Sequence, residues 1–153
     1  MTELNARQEE FAKALFEAYD TNTPLKEEEW KDVVTDDETA YKVSLTSKET
    51  QDMFDADSPL YGQQVAERFL QSPADVDLQM LNEPLLEVEL TFRAKEDLQP
   101  SDTLEDLFQK VTVAGALELP DARFVDWFPD LGKYNVMADC AVGGLVVYGE
   151  EHD

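Results

Sequence analysis

The chain has 153 residues, 42% of them apolar, which is enough for one domain with a buried core and too few for two ordinary domains. Its 35 acidic and 12 basic residues give a net charge of −23, which argues against nucleic-acid and anionic-membrane surfaces and fits a protein that binds cations. A single cysteine, an N-terminus unlike a signal peptide and no apolar run near the ~20 residues of a membrane span predict a cytoplasmic protein.

The N-terminal part is predicted to be helical. Apolar residues recur at helical spacing over residues 3–19, with Thr2 as the expected cap. Asn22 and Pro24 are expected to end this helix, and a second, short helix should then run to Val33.

The middle of the chain gives mixed signals. Residues 41–46 alternate between apolar and polar side chains and predict a strand, and residues 47–54 predict a capped helix. Residues 63–71 are compatible with either a helix or a strand.

The second half of the chain changes to a β pattern. Residues 86–93 alternate strictly, which predicts a strand of roughly eight residues. A helix is expected from about residue 101 to 111, a second strand over 113–119, a loop over 126–134, and a nearly apolar third strand over 140–148. The fold class is therefore α+β, with N-terminal helices followed by strands.

Glu87 and Glu89 are the most informative residues. Side chains two apart on a strand point to the same side, with Cβ atoms roughly 7 Å apart, so these two carboxylates repel each other unless a positive charge lies between them. A hard divalent cation prefers carboxylate oxygen ligands. Glu118 lies in an otherwise apolar run, where a carboxylate is costly to bury unless it is paired or bound to a metal. The alternative is that all three are ordinary glutamates facing water.

Five segments in order resemble the 2-keto-4-pentenoate hydratase branch of the fumarylacetoacetate hydrolase superfamily. The strongest is Pro84-Leu85-Leu86-Glu87-Val88-Glu89, which is similar to that family's Pro-x-x-Glu-x-Glu segment. The others are Lys42-Val43-Ser44-Leu45-Thr46, Asp57-Ser58-Pro59-Leu60-Tyr61-Gly62, Ala116-Leu117-Glu118-Leu119-Pro120-Asp121-Ala122-Arg123 and Ala138-Asp139-Cys140-Ala141.

The resemblance implies a fold, a site and an activity. It implies a partial fumarylacetoacetate-hydrolase-like mixed β-roll over 40–153, which follows the helical segment predicted over 1–39. It implies Glu87, Glu89 and Glu118 as ligands of Mg²⁺ or Mn²⁺, which would hold a small 2-oxoacid. Lys42 matches a lysine that holds charge near the substrate, and Glu67 falls near an acidic proton-transfer residue. The implied activity is a hydro-lyase that adds water to a small unsaturated 2-oxoacid, in a homo-oligomer.

The chain also departs from the family pattern. Cys140-Ala141-Val142 stands where the family has Asn-Ala-Ser, so two polar side chains are missing, and family members are longer than this chain. Two alternatives therefore stay open. One is a related 2-oxoacid decarboxylase. The other is a shortened, non-catalytic paralogue that acts as a binding or assembly module, with the aromatic loop from Phe124 to Tyr134 as an interface.

Overall fold

The computed structural model describes residues 5–35 and 64–153 of the chain. The predicted strand over 41–46 and helix over 47–54 lie outside these ranges. So does the boundary between 39 and 40, which stays a prediction.

Within the described ranges the helices are α1 (Ala6–Thr21), α2 (Leu104–Lys110) and α3 (Lys133–Ala138). Helix α1 begins three residues later than predicted, because Asn5 caps it by accepting hydrogen bonds from the backbone N–H groups of Arg7 and Gln8. It ends as predicted at Asn22, which adopts the left-handed conformation with a φ of 47°. The helix predicted after Pro24 is only the 3₁₀ turn Glu27–Glu29. None of the described helices is long and apolar enough to cross a membrane.

Four strands form one mixed sheet in the order β1-β4-β3-β2. Their bounds are Phe69–Gln71 for β1, Glu87–Ala94 for β2, Val111–Leu119 for β3 and Leu145–Tyr148 for β4. Strand β1 runs parallel to β4, and the other two pairs are antiparallel. The ambiguous stretch 63–71 contains the 3₁₀ turn Ala66–Arg68 followed by β1. The prediction of mixed α and β structure is thus confirmed.

Strand β4 is shorter than the predicted 140–148 run. Cys140, Ala141 and Val142 all have φ near +50°, so the chain turns there instead of extending, and the Val142 carbonyl accepts a hydrogen bond from the Asp121 N–H at 2.7 Å. The apolar character of this run reflects burial, since Val142 is in the core. Helix α3 also occupies the end of the predicted loop 126–134.

The core contains residues from both described ranges of the chain. Phe11 of α1 stacks on Trp30 with ring centroids 5.1 Å apart and also contacts Phe124, which is fully buried. Around them pack further buried side chains, including Val33, Val34, Trp127, Leu131, Val136 and Met137. The N-terminal helix is therefore part of the same hydrophobic core as the segment that follows β3.

One face of β2 remains uncovered among the described residues. Its apolar side chains are exposed, from 59% for Phe92 to 85% for Val88. Apolar and polar side chains alternate along β2 as predicted, but the apolar side chains do not pack into the hydrophobic core.

Candidate metal centre

Glu87, Glu89 and Glu118 lie together at one end of the β2–β3 pair. The antiparallel register places Glu87 directly opposite Glu118, and residues directly opposite in such a pair project from the same face of the sheet. Glu89 is two residues further along β2 and shares that face. One carboxylate oxygen from each residue lies within 4.8 Å of the others. Glu87 and Glu89 are exposed, and Glu118 is partly buried.

The electrostatics of this cluster favour a bound cation. Partial desolvation raises the pKa of the Glu87 carboxyl, and the charge of Glu89 raises it further, so ionising Glu87 costs free energy when no cation balances the charge. A divalent cation among the three oxygens would remove that cost.

The donor set also fits the ion. Around one Mg²⁺, oxygen ligands at ~2.1 Å are spaced roughly 3–4 Å apart, so the three carboxylates need only small side-chain rotations. Among the described residues, these three form the group of Asp, Glu, His or Cys side chains that lie close enough together to hold one metal ion.

Hydrogen bonds hold the segment that leads into β2 against the end of β3. The carboxylate of buried Asp121 accepts hydrogen bonds from the N–H groups of Asn82 and Glu83 at 2.9 and 2.8 Å. The Leu85 N–H donates to the Pro120 carbonyl at 2.9 Å. The backbone before Glu87 is thereby tied to the backbone after Glu118, which keeps these two glutamates in register.

A buried ion pair between Arg123 and Asp139 holds the chain that follows Asp121 in place. Arg123 and Asp139 are both nearly inaccessible, and the Asp139 carboxylate accepts hydrogen bonds from the Arg123 side chain and from its backbone N–H. The guanidinium also donates to the Asp139 and Gly143 carbonyls. Burial raises the pKa of Asp139 to about 6, and the charge of Arg123 opposes this shift. Sequence reasoning assigned no role to Asp121 or to this pair, although both lie in the motifs that carried the family resemblance.

The chain is similar to two curated hydratases. It is 34% identical over 115 residues to the 2-hydroxyhexa-2,4-dienoate hydratase of Comamonas testosteroni, a match that covers 72% of this chain and 43% of that protein. It is 30% identical over 110 residues to the TodF product hydratase of Pseudomonas putida F1, covering 71% and 40% respectively. The chain therefore spans less than half the length of these relatives. No protein-family model matches it.

The fold matches solved structures of the 4-oxalocrotonate decarboxylase from Pseudomonas putida G7. The complex with magnesium and adipate superimposes with a TM-score of 0.75 at 18% identity, over 97% of this chain and 64% of that chain. The complex with calcium and acetate gives a TM-score of 0.72 at 16% identity, over 97% and 63%. This chain belongs to the hydratase branch of the fumarylacetoacetate hydrolase superfamily. The predicted family is thereby confirmed.

The structure gives less support to the other two predicted site residues, Lys42 and Glu67. Lys42 lies outside the described residues. Glu67 is exposed on the 3₁₀ turn before β1 and does not join the glutamate cluster, although its neighbour Ala66 lines an open cavity on the same face of the sheet. The catalytic roles of Lys42 and Glu67 stay predictions.

Two aromatic residues of the loop suggested as an interface pack inside the chain, and the role of the loop as an interface stays a prediction. Phe124 and Trp127 are buried, and the Trp127 indole N–H donates to the Glu83 carbonyl at 3.0 Å. Phe128 is the exposed aromatic residue of that stretch. The indole therefore anchors the segment leading to β2 instead of facing a partner.

Proposed function

We propose that this chain carries the metal centre of a divalent-cation-dependent lyase that acts on a small unsaturated 2-oxoacid, in the manner of the hydratases it resembles. The observation that carries the proposal is the convergence of Glu87, Glu89 and Glu118 on one face of the β2–β3 pair. Mg²⁺ is the first candidate because it prefers oxygen ligands and because a related decarboxylase structure contains magnesium. Binding of Mn²⁺ stays a prediction.

The three glutamates have a defined chemical task in this proposal. Their carboxylates would hold the cation at the end of the strand pair. A cation held there would supply Lewis acidity to a bound 2-oxoacid. Hydration adds the elements of water across a carbon–carbon double bond, so no redox partner is required. We assign proton transfer to Glu67 and substrate charge stabilisation to Lys42, as the family resemblance implies.

Calorimetric titration of Mg²⁺ into the wild type and the variants Glu87→Gln, Glu89→Gln and Glu118→Gln tests the metal centre. We expect one site per chain in the wild type and a loss of at least roughly tenfold in affinity for each variant, because each removes one charged ligand. Since the net charge of −23 can attract cations non-specifically, Glu96→Gln serves as the control. It removes an exposed carboxylate outside the cluster and should leave the affinity unchanged. Equal affinity in all variants would refute the site.

One observation favours a second candidate, an assembly module built from copies of this chain. Four apolar side chains in and just before β2 are exposed, namely Leu86, Val88, Leu90 and Phe92, and so are Leu104 and Phe108 of α2. Apolar patches of this kind commonly mark interaction sites. Light scattering separates the candidates when combined with activity, because a module without catalysis predicts a stable oligomer that shows no turnover with Mg²⁺. Homo-oligomerisation and the cytoplasmic location stay predictions.

A further inference from the structure

Strand β2 forms one edge of the sheet among the described residues. It pairs with β3 on one side, in a register that runs without a break from Glu87 opposite Glu118 to Ala94 opposite Val111. No other described strand pairs with it. A long, regular edge of this kind presents N–H and C=O groups that can bind a further strand.

The hydrogen bonds to β3 determine which peptide groups of β2 face outward. The N–H groups of Leu85 and Lys95, on either side of the strand, donate to carbonyls of the residues that flank β3, at 2.9 and 2.8 Å. In an antiparallel pair, residues that exchange hydrogen bonds alternate with residues whose peptide groups point away. The odd-numbered residues of β2 therefore bind β3, and the N–H and C=O groups of Val88, Leu90 and Phe92 point outward.

The side chains on the glutamate face of β2 have a symmetric pattern of charge. In chain order they are Glu87, Glu89, Thr91, Arg93 and Lys95, so that two acidic residues and two basic residues flank a central threonine. All four charged side chains are exposed. The strand is thus locally neutral in a chain with a net charge of −23, and two copies can meet there without strong repulsion.

We propose that two copies of this chain associate by antiparallel pairing of their β2 strands, with Thr91 of each copy at the two-fold axis. In this register Glu89 lies opposite Arg93 of the second copy. Glu87 lies opposite Lys95 of the second copy. Residues directly opposite each other have Cβ atoms about 5 Å apart, so each glutamate can form an ion pair with the basic residue that it faces.

The backbone and the apolar side chains fit the same register. Leu90 lies opposite Phe92 of the second copy, so two residues with outward peptide groups exchange hydrogen bonds. Their side chains, which are exposed in the single chain, pack side by side on the apolar face. Moving the axis by one residue toward either end leaves one distinct pair of opposite charges instead of two. Because a two-fold interface uses the β2 edge of both copies, assembly stops at a dimer with one continuous sheet.

The present contacts of the two basic residues are compatible with this pairing. Nε of Arg93 donates to the Glu151 carboxylate at 2.7 Å. Nζ of Lys95 donates to the Asp153 carboxylate at 2.8 Å. An arginine carries five N–H donors and a lysine three, so each can also bind a second carboxylate. The pairing does not depend on the lyase chemistry proposed above, and it specifies the surface that the assembly candidate leaves undefined.

Sedimentation equilibrium in EDTA, which keeps divalent cations from the glutamates, tests the pairing. We expect the wild type to form a dimer of twice 17.4 kDa as its concentration rises. The double variant Glu87→Lys with Glu89→Lys, and likewise Arg93→Glu with Lys95→Glu, replaces every pair of opposite charges across the axis by a pair of like charges. Each double variant should therefore have a dimer dissociation constant at least about tenfold higher than that of the wild type.

Mixing the two double variants distinguishes strand pairing from a general effect of charge. In the mixture every position across the axis again has opposite charges, so a heterodimer with an affinity near that of the wild-type dimer should form. The double variants Glu9→Lys with Glu17→Lys, and Lys13→Glu with Lys31→Glu, change the net charge equally at exposed positions outside the sheet. These controls should dimerise like the wild type.

Three results would overturn the pairing. They are a wild type that stays monomeric at its highest soluble concentration, a dimer that neither β2 double variant weakens, and controls that dissociate as readily as the β2 variants. If circular dichroism shows that a β2 double variant is unfolded, Leu90→Pro replaces it. The Leu90 N–H points away from β3, so this variant should stay folded but lose the dimer, and a folded dimer would contradict the pairing. Loss of Mg²⁺ binding would refute only the metal centre, because the pairing is measured without metal.

Discussion

The buried pair of Arg123 and Asp139 gives the chain an unusual dependence of stability on pH. Burial raises the pKa of Asp139 to about 6, whereas an aspartate in the unfolded chain titrates near 3.8. Between these values the folded chain binds more protons than the unfolded chain, so this residue's contribution to stability decreases as the pH rises. The contribution is complete below about pH 4 and is lost above about pH 6.

The magnitude follows from the two pKa values. Between pH 5 and pH 7.5 the contribution of Asp139 should fall by about 1.4 kcal/mol, the equivalent of one pKa unit. The variant Asp139→Asn lacks this pH-dependent contribution, because asparagine does not titrate. The variant should be less stable than the wild type by about 1–3 kcal/mol at pH 5, because the amide nitrogen of asparagine cannot accept a hydrogen bond and one buried donor of Arg123 is left unpaired. The stability difference between wild type and variant should then shrink toward pH 7.5.

Urea denaturation at pH 5, 6 and 7.5 measures this difference, and the whole range lies above the pI of about 4.1. Asp106→Asn is the control. The Thr103 hydroxyl lowers the pKa of Asp106, so that carboxyl is ionised in both states throughout the range and its difference should stay constant. A difference for Asp139→Asn that grows with pH would show that the pairing with Arg123 outweighs burial and would refute the reasoning.

Three further predictions concern the metal centre and the core. Without metal, Glu87→Gln should stabilise the chain by less than about 1 kcal/mol and raise its melting temperature slightly. In the same thermal melts, the variant should no longer be stabilised by Mg²⁺. Phe124→Ala should lower the free energy of unfolding in urea by about 3–5 kcal/mol, because the ring is fully buried; a loss below 1 kcal/mol would contradict its place in the core. Gly144→Ala should weaken Mg²⁺ binding roughly tenfold in calorimetry, since its Cβ would lie 2.0 Å from the Leu119 carbonyl beside the metal centre; Gly115→Ala, with no atom within 4 Å, should not.

The exposed and buried apolar segments show where sequence reasoning was limited. The alternation over 86–93 predicted β2 correctly, because period 2 is a local property of a strand. It could not show that the apolar side of β2 is exposed, which depends on what packs against it. The apolar run over 140–148 predicted a strand that is only half present. Burial in the core, and not strand pairing, explains the apolar residues of its first part.

The sequence by itself determined which residues could form the metal centre. The spacing of Glu87 and Glu89 on one strand requires a shared face, and ordered motifs identified the family that the comparisons confirm. Only the tertiary structure decided that Glu118 stands opposite Glu87, because that register depends on how the chain between β2 and β3 turns back. It also decided the chemistry of the neighbouring cavity. Tyr148 and Glu151 reach Thr91 and Arg93 from more than fifty residues away, and no local pattern encodes such a contact.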